Sequence, residues 1–152
     1  MIKTMTSPPV PVVGDIGPED DGVDAPFWAG LREHELRLQH CADCGTWVWP
    51  ARWNCTECLG TELVWTSTPA TGTVYAWTRT HHAFFPDMAD ALPYVTVLVE
   101  LDGARPRRLL GILVDATSVR IGDSVVGVLQ EPGTLTGAAP VLRWTKELAD
   151  VA

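Results

Sequence analysis

Basic residues are scarce in this chain of 152: 11 Lys and Arg stand against 19 Asp and Glu, a formal net charge of −8. That balance repels phosphate backbones and anionic headgroups, so non-specific nucleic-acid binding and membrane-surface attraction are disfavoured. Long apolar runs are lacking as well, and none approaches the ~20 residues that span a bilayer. Met1–Val13 has no apolar stretch of signal-peptide type, and Lys3 is its one basic residue. A soluble cytoplasmic protein with reduced thiols is therefore expected. Missing too are a Gly-x-Ser-x-Gly elbow and a Gly-rich phosphate loop, which leaves a thin inventory for catalysis.

What the chain does hold is four cysteines, as Cys41-x2-Cys44 and Cys55-x2-Cys58 with ten residues between the pairs. Two such pairs on tight knuckle turns bring four thiolates around one Zn²⁺ at roughly 2.3 Å, the pattern of a zinc ribbon. Four thiolates leave no open coordination position, so one structural zinc per chain is expected and metal-activated water is not. Rubredoxin-type iron uses the same donors. Disulfides need an oxidising compartment, and a redox dithiol needs one pair in a strand-to-helix setting. A ribbon of about 30 residues cannot bury enough apolar surface to fold alone, so the metal supplies folding energy. His40 beside Cys41 reads as a strand residue, because the ligand set is already complete.

Residues 1–25 combine prolines with Asp15, Glu19, Asp20, Asp21 and Asp24, a composition read as a flexible acidic leader. A docking helix is expected over 26–35, capped by Asp24, with Pro26 in its first turn and Phe27, Trp28 and Leu31 on one face. The ribbon takes 36–68. It opens on the alternation of Leu36, Leu38 and His40 and carries Trp47, Trp49 and Trp53 between its knuckles. Those tryptophans either cover the ribbon and its junction or form a partner surface.

From 69 to 152 the pattern is β. Strand signals fall at Thr73–His81, Tyr94–Leu101, Arg107–Val114, Ser124–Gln130 and Val141–Thr145, after a last ribbon strand at Leu63–Thr66. Five strands with apolar faces along Val95/Val97/Val99/Leu101 and Leu110/Ile112/Val114 fit an OB-type barrel better than a sandwich. The expected fold is thus mainly β: a short helix, a four-cysteine zinc ribbon and a five-stranded barrel. The link Asp115–Asp123 has room only for a helical turn.

In order and spacing, Phe27-Trp28, Leu36-Arg37-Leu38-Gln39-His40-Cys41, Cys44-Gly45, Cys55-x-x-Cys58, Gly72-Thr73-Val74-Tyr75-Ala76-Trp77-Thr78, Pro93-Tyr94 and Ile121-Gly122-Asp123 carry a resemblance that runs from Phe27 to the end. The chain resembles the rubredoxin-like zinc-ribbon plus OB-fold proteins long catalogued as a domain of unknown function. It departs from their pattern at Ala51 and Asn54, where prolines are usual. The resemblance implies a non-catalytic partner of thiolase-fold enzymes acting on acyl-CoA thioesters, including lipid-transfer-like thiolases and aldolases of sterol side-chain degradation. Two copies per partner dimer would follow from symmetry. A partner of an acyltransferase in aromatic polyketide synthesis is also compatible, and outside that class stand a free OB module for nucleic acid or CoA and an enzyme in its own right.

Several residues are candidates for contact with a partner or an acyl-CoA. Phe84 and Phe85, with Met88, sit in a long loop after the first barrel strand, where they either cap the barrel end or meet a partner. His81 and His82 precede them; as strand neighbours they point to opposite faces, against one shared metal. Arg105, Arg107 and Arg108 form a basic cluster at a hairpin, fit for CoA phosphates or merely solvated. Arg52, Arg79, Trp47, Trp49 and Tyr94 complete the set.

Overall fold

The computed structural model describes residues 1–5, 22–114, 118–131 and 140–146. Its elements are β1 (Lys3–Thr4), α1 (Ala25–Arg32), β2 (Leu36–Cys41), β3 (Trp47–Val48), β4 (Leu63–Thr68), β5 (Thr71–Thr80), β6 (Tyr94–Leu101), β7 (Arg108–Leu113), β8 (Ser124–Gln130) and β9 (Val141–Lys146), with 3₁₀ turns at Pro86–Ala91 and Asp102–Ala104. Strands β3, β2 and β4 form the ribbon sheet. The order β5-β6-β7-β9-β8, with β8 returning to β5, closes the barrel. Pairing is antiparallel around it except between β7 and β9, which is OB-fold connectivity.

Alternation explains β6, where Val95, Val97, Val99 and Leu101 all point into the core. A one-residue bulge between Val74 and Ala76 bends β5, so that this strand serves both β6 and β8. On β7 the expected phase is corrected at Leu110 and Ile112, while Val114, just past the strand, is buried as expected. Leu109 and Leu113 lie inward, opposite Val99 and Val95, while Leu110 is 70% exposed. The third inward position is Gly111, opposite Val97. A Cβ there would come within 2.8 Å of two ring atoms of Trp144, which is fully buried. The indole fills the place of a side chain, and the glycine hides the alternation.

The leader expectation is corrected over its first five residues. Strand β8 pairs with β5 only through Ser124–Val126, and β1 takes up the free edge at Val128 and Leu129. Ile2 is buried, its N–H donates to the His34 carbonyl at 2.7 Å, and the Met5 N–H donates to that of Leu129 at 2.8 Å. Residues 6–21 of that leader lie outside the described residues. In the link after β7, residues 118–123 show a turn at Ile121–Gly122 and no helix. Backbone bonds from Gly122 to Val74 and from Val74 to Asp123 hold that turn against the bulged strand.

Asp24 stands at the N-cap of α1, but its carboxylate caps no backbone amide; it accepts the Trp28 Nε1–H at 2.9 Å. Phe27 and Leu31 are buried, and with Leu36 and Leu38 of β2 they join the barrel's Val and Leu residues and Trp144 in one apolar cluster. Each such side chain contributes about 2 kcal/mol on burial. Ribbon and barrel therefore share a core, which fixes the metal centre against the barrel.

Candidate metal centre and contact surface

Two hairpin-like knuckles carry the cysteines. In the first, the Cys41 N–H donates to the Thr46 carbonyl at 2.9 Å; in the second, the Cys55 N–H donates to that of Gly60 at 2.8 Å. The residue four beyond the first cysteine of each pair is left-handed: Gly45 at φ 76° and Leu59 at φ 63°. Glycine adopts that conformation freely and leucine does so at a cost.

The Sγ atoms of Cys41 and Cys58 are 3.6 Å apart, as are those of Cys44 and Cys55, and all four lie within 4.8 Å of one another. Four sulfurs at roughly 2.3 Å from a tetrahedral centre are about 3.8 Å apart. The donors are thus already arranged for one Zn²⁺, held by Cys41, Cys44, Cys55 and Cys58. Cys41 and Cys55 are buried and the other two exposed. The Glu57 N–H donates to the Cys55 sulfur at 3.4 Å, the kind of bond that favours thiolate. The Thr46 hydroxyl and amide pull the Cys44 thiol down to about 6. At Cys58 a backbone bond at Gly60 favours thiolate, yet the sulfurs of Cys44, Cys41 and Cys55 push that thiol up to about 12. The last proton of a four-thiol cluster is the hardest to remove, and a dication at its centre reverses the balance.

The remaining candidates divide by location. Trp47 and Trp49 are half-buried against the core, Trp49 tilted on Phe27 at 4.7 Å and Trp47 edge-on to His40 at 5.0 Å. Trp53, by contrast, is 76% exposed. The backbone of Arg52 is clamped by Gln39, whose side chain accepts its N–H at 2.8 Å and donates to its carbonyl at 2.9 Å, leaving the Arg52 side chain outside.

The basic hairpin is engaged within the chain. Arg108 donates twice to Glu100 at 3.2 Å and lies 3.5 Å over the Tyr75 ring. Arg105 pairs with Asp102 at 3.4 Å and Glu100 at 3.7 Å, and the Arg107 Nε donates to the Trp47 carbonyl. Tyr94 is half-buried opposite Thr80, where β5 and β6 leave the barrel. His81 and His82 lie exposed just beyond β5, in the loop that carries Phe84 and Phe85. Of that loop's apolar residues Met88 turns inward, 6% exposed, while Phe84 and Phe85 stand out at 80% and 55%. Between α1, the Trp49–Ala51 connector and strands β7 and β9 lies an apolar cavity of about 470 Å³, lined by Phe27, Trp28, Trp49, Leu109 and Leu142.

A four-thiolate ribbon whose strand enters the core of an OB barrel defines the class: a zinc-ribbon plus OB-fold protein whose four-cysteine site is closed by its own thiolates. Family comparison narrows it. The ChsH2 rubredoxin-like zinc ribbon domain matches residues 28–64 and the ChsH2 C-terminal OB-fold domain residues 65–130, and the chain belongs to the ChsH2 family. A solved structure described as the Ltp2-ChsH2(DUF35) aldolase superposes with TM-score 0.71 at 27% identity, over 82% of this chain and 94% of that one. A DUF35-family protein of unknown function from Sulfolobus solfataricus shares the fold with TM-score 0.59 at 17% identity, over 84% and 87%. No curated protein sequence matches the chain.

Proposed function

We propose that this chain is a non-catalytic subunit that docks onto a lipid-transfer or thiolase-type enzyme and supports its action on acyl-CoA thioesters, as in sterol side-chain or other lipid breakdown. The observation that carries this reading is the likeness, over most of both chains, to a component of the Ltp2-ChsH2(DUF35) aldolase. The chain's chemistry agrees with it. Its four cysteines converge on one closed metal site, so no thiol is left as a nucleophile.

Contact with the acyl-CoA belongs to the same reading. The apolar cavity beside α1 suits a thioester's acyl tail, and the exposed Arg52 offers a charge for phosphate. Arg105 and Arg108 suit that task less well, because Glu100 and Asp102 already neutralise them. The same neutralisation weakens the alternative of a nucleic-acid module.

The test is native mass spectrometry on the tagged chain isolated from its own host in the cytoplasmic fraction. A complex is expected that contains one zinc per chain and a thiolase-sized partner dimer bearing two copies. Acyl-CoA turnover by that partner should fall when the chain is removed. A chain that stays alone, with the enzyme indifferent to it, rules the subunit reading out.

A further inference from the structure

A strand at the rim of a sheet leaves its outer N–H and C=O groups open to another chain, and proteins blunt such rims with short strands, charge, proline or bulges. Most edges here are blunted in that way. Strands β1 and β3 have two residues each, and the parts of β5, β7 and β9 that have a single neighbour carry Arg79, Arg108 and Arg143. Among the described residues β4 is the exception. It ends the ribbon sheet, pairs with β2 alone, and runs Leu63-Val64-Trp65-Thr66-Ser67-Thr68 with no charge, no proline and no shift of register.

Which of its groups face outward follows from the ladder. The Ala42 N–H donates to the Glu62 carbonyl at 2.9 Å, so Glu62, Val64, Thr66 and Thr68 bond to β2, and the backbones of Leu63, Trp65 and Ser67 face away. The Leu63 N–H is already satisfied by the Thr61 carbonyl at 2.9 Å, and Pro69 has no N–H to give. The open edge is therefore Trp65 and Ser67 with Thr66 midway, and the side chains of Val64, Thr66 and Ser67 are exposed.

This edge is complementary to itself. About a two-fold axis at Thr66, Trp65 of each copy faces Ser67 of the other, and each pair exchanges two backbone bonds. Thr66 meets its own copy and Val64 meets Thr68, β-branched pairs that suit a cross-strand contact. Glu62 falls opposite Ala70, so no like charges face each other along the ladder. The nearest other charges are Glu33, Glu35 and Arg37: Arg37 pairs with both glutamates, and the Ser67 hydroxyl donates to Glu35 at 2.8 Å.

We infer that β4 pairs antiparallel with β4 of a second copy of this chain, so that two ribbon sheets join into one. The inference goes beyond the subunit reading and does not depend on it. The contact is small beside the roughly 1,200–2,000 Å² buried in stable complexes, and each copy carries a net charge of −8. The pairing is therefore weak, and salt strengthens it by screening the repulsion between copies.

The test is sedimentation equilibrium of the full-length zinc-loaded chain up to about 1 mM, at low and at high salt. A reversible dimer is expected whose affinity rises with salt. Thr66→Lys sets like charges against each other on the axis and should weaken it about tenfold or more. Ser67→Pro removes an outward donor while sparing the ladder to β2, and should do the same. Zinc content and circular dichroism establish that each variant is folded. Amide exchange of the wild type, followed by NMR, reads the edge without any substitution: the Trp65 and Ser67 amides should slow as the chain's own concentration rises. A chain that stays monomeric throughout overturns the proposal, as does a dimer that leaves those two amides unprotected or that both folded variants form equally well. Protection that follows added thiolase-type enzyme, and not the chain's own concentration, assigns the edge to that enzyme and overturns it too.

Discussion

Gly45 and Leu59 hold the same place in the two knuckles and the same left-handed backbone, so exchanging their residue types measures one quantity with opposite signs. Around Gly45 an added Cβ would meet nothing within 4 Å. The cost of Gly45→Ala is then backbone strain alone, about 1–2 kcal/mol, offset in part by the lower entropy of the unfolded alanine chain. A net loss of about 1 kcal/mol is expected. Leu59 is exposed and gives up little burial, so Leu59→Gly should return about the same amount. Because metal binding and ribbon folding are linked, 1 kcal/mol appears as about a fivefold change in apparent zinc affinity. Competition against a chromogenic chelator, together with urea unfolding of the zinc-loaded protein, reads both variants. Neutral behaviour of Gly45→Ala, or destabilisation by Leu59→Gly, would refute the claim that the knuckles are strained by residue type.

Cys58→Ala should release the metal and disorder the ribbon, read by zinc content and by loss of partner binding; a variant that keeps zinc and fold contradicts the four-thiolate site. Gly111→Ala presses a methyl onto the Trp144 ring and should cost about 1–3 kcal/mol in urea unfolding, with the indole emission altered. Lys146 lies 2.7 Å from Asp123, and its hydrogen bond, followed by that of the Arg120 amide, holds the Asp123 carboxyl below its ordinary range. A depressed folded pKa means stability that is present above the unfolded value of about 3.9 and lost as pH falls through the folded one. Asp123→Asn should therefore flatten the acid limb of a melting-temperature profile, and an unchanged limb would show that the pair contributes nothing.

The metal site and the barrel were legible because each imposes a local pattern: paired cysteines two residues apart, and valines alternating along β6. Contacts that join distant segments leave no such mark. Nothing near Arg107 announces the Trp47 carbonyl, 60 residues away. The pairing of Arg108 with Glu100 was closer to hand, since the hairpin register sets the two directly across from each other. Composition gave Phe84, Phe85 and Met88 equal standing, and only the path of the loop decides that the methionine folds in. Trp53 escaped selection in favour of Trp47 and Trp49 for a like reason: three tryptophans in one short segment look alike until the segment is wrapped over a core. β1 is two residues long, too short for any periodicity, and its place depends on β8 outlasting β5.

The boundary between the two family matches falls inside β4, a strand that pairs with β2 along its whole length. Leu36 and Leu38 of β2 in turn belong to the barrel's apolar cluster. A cut at that boundary would split a strand and strip the barrel of part of its interior, so neither half is a transferable cassette. Any lineage or engineer replacing the ribbon must replace β2 and the wall it packs on together, and chimaeras joined at residue 64 should be insoluble where those joined before α1 are not.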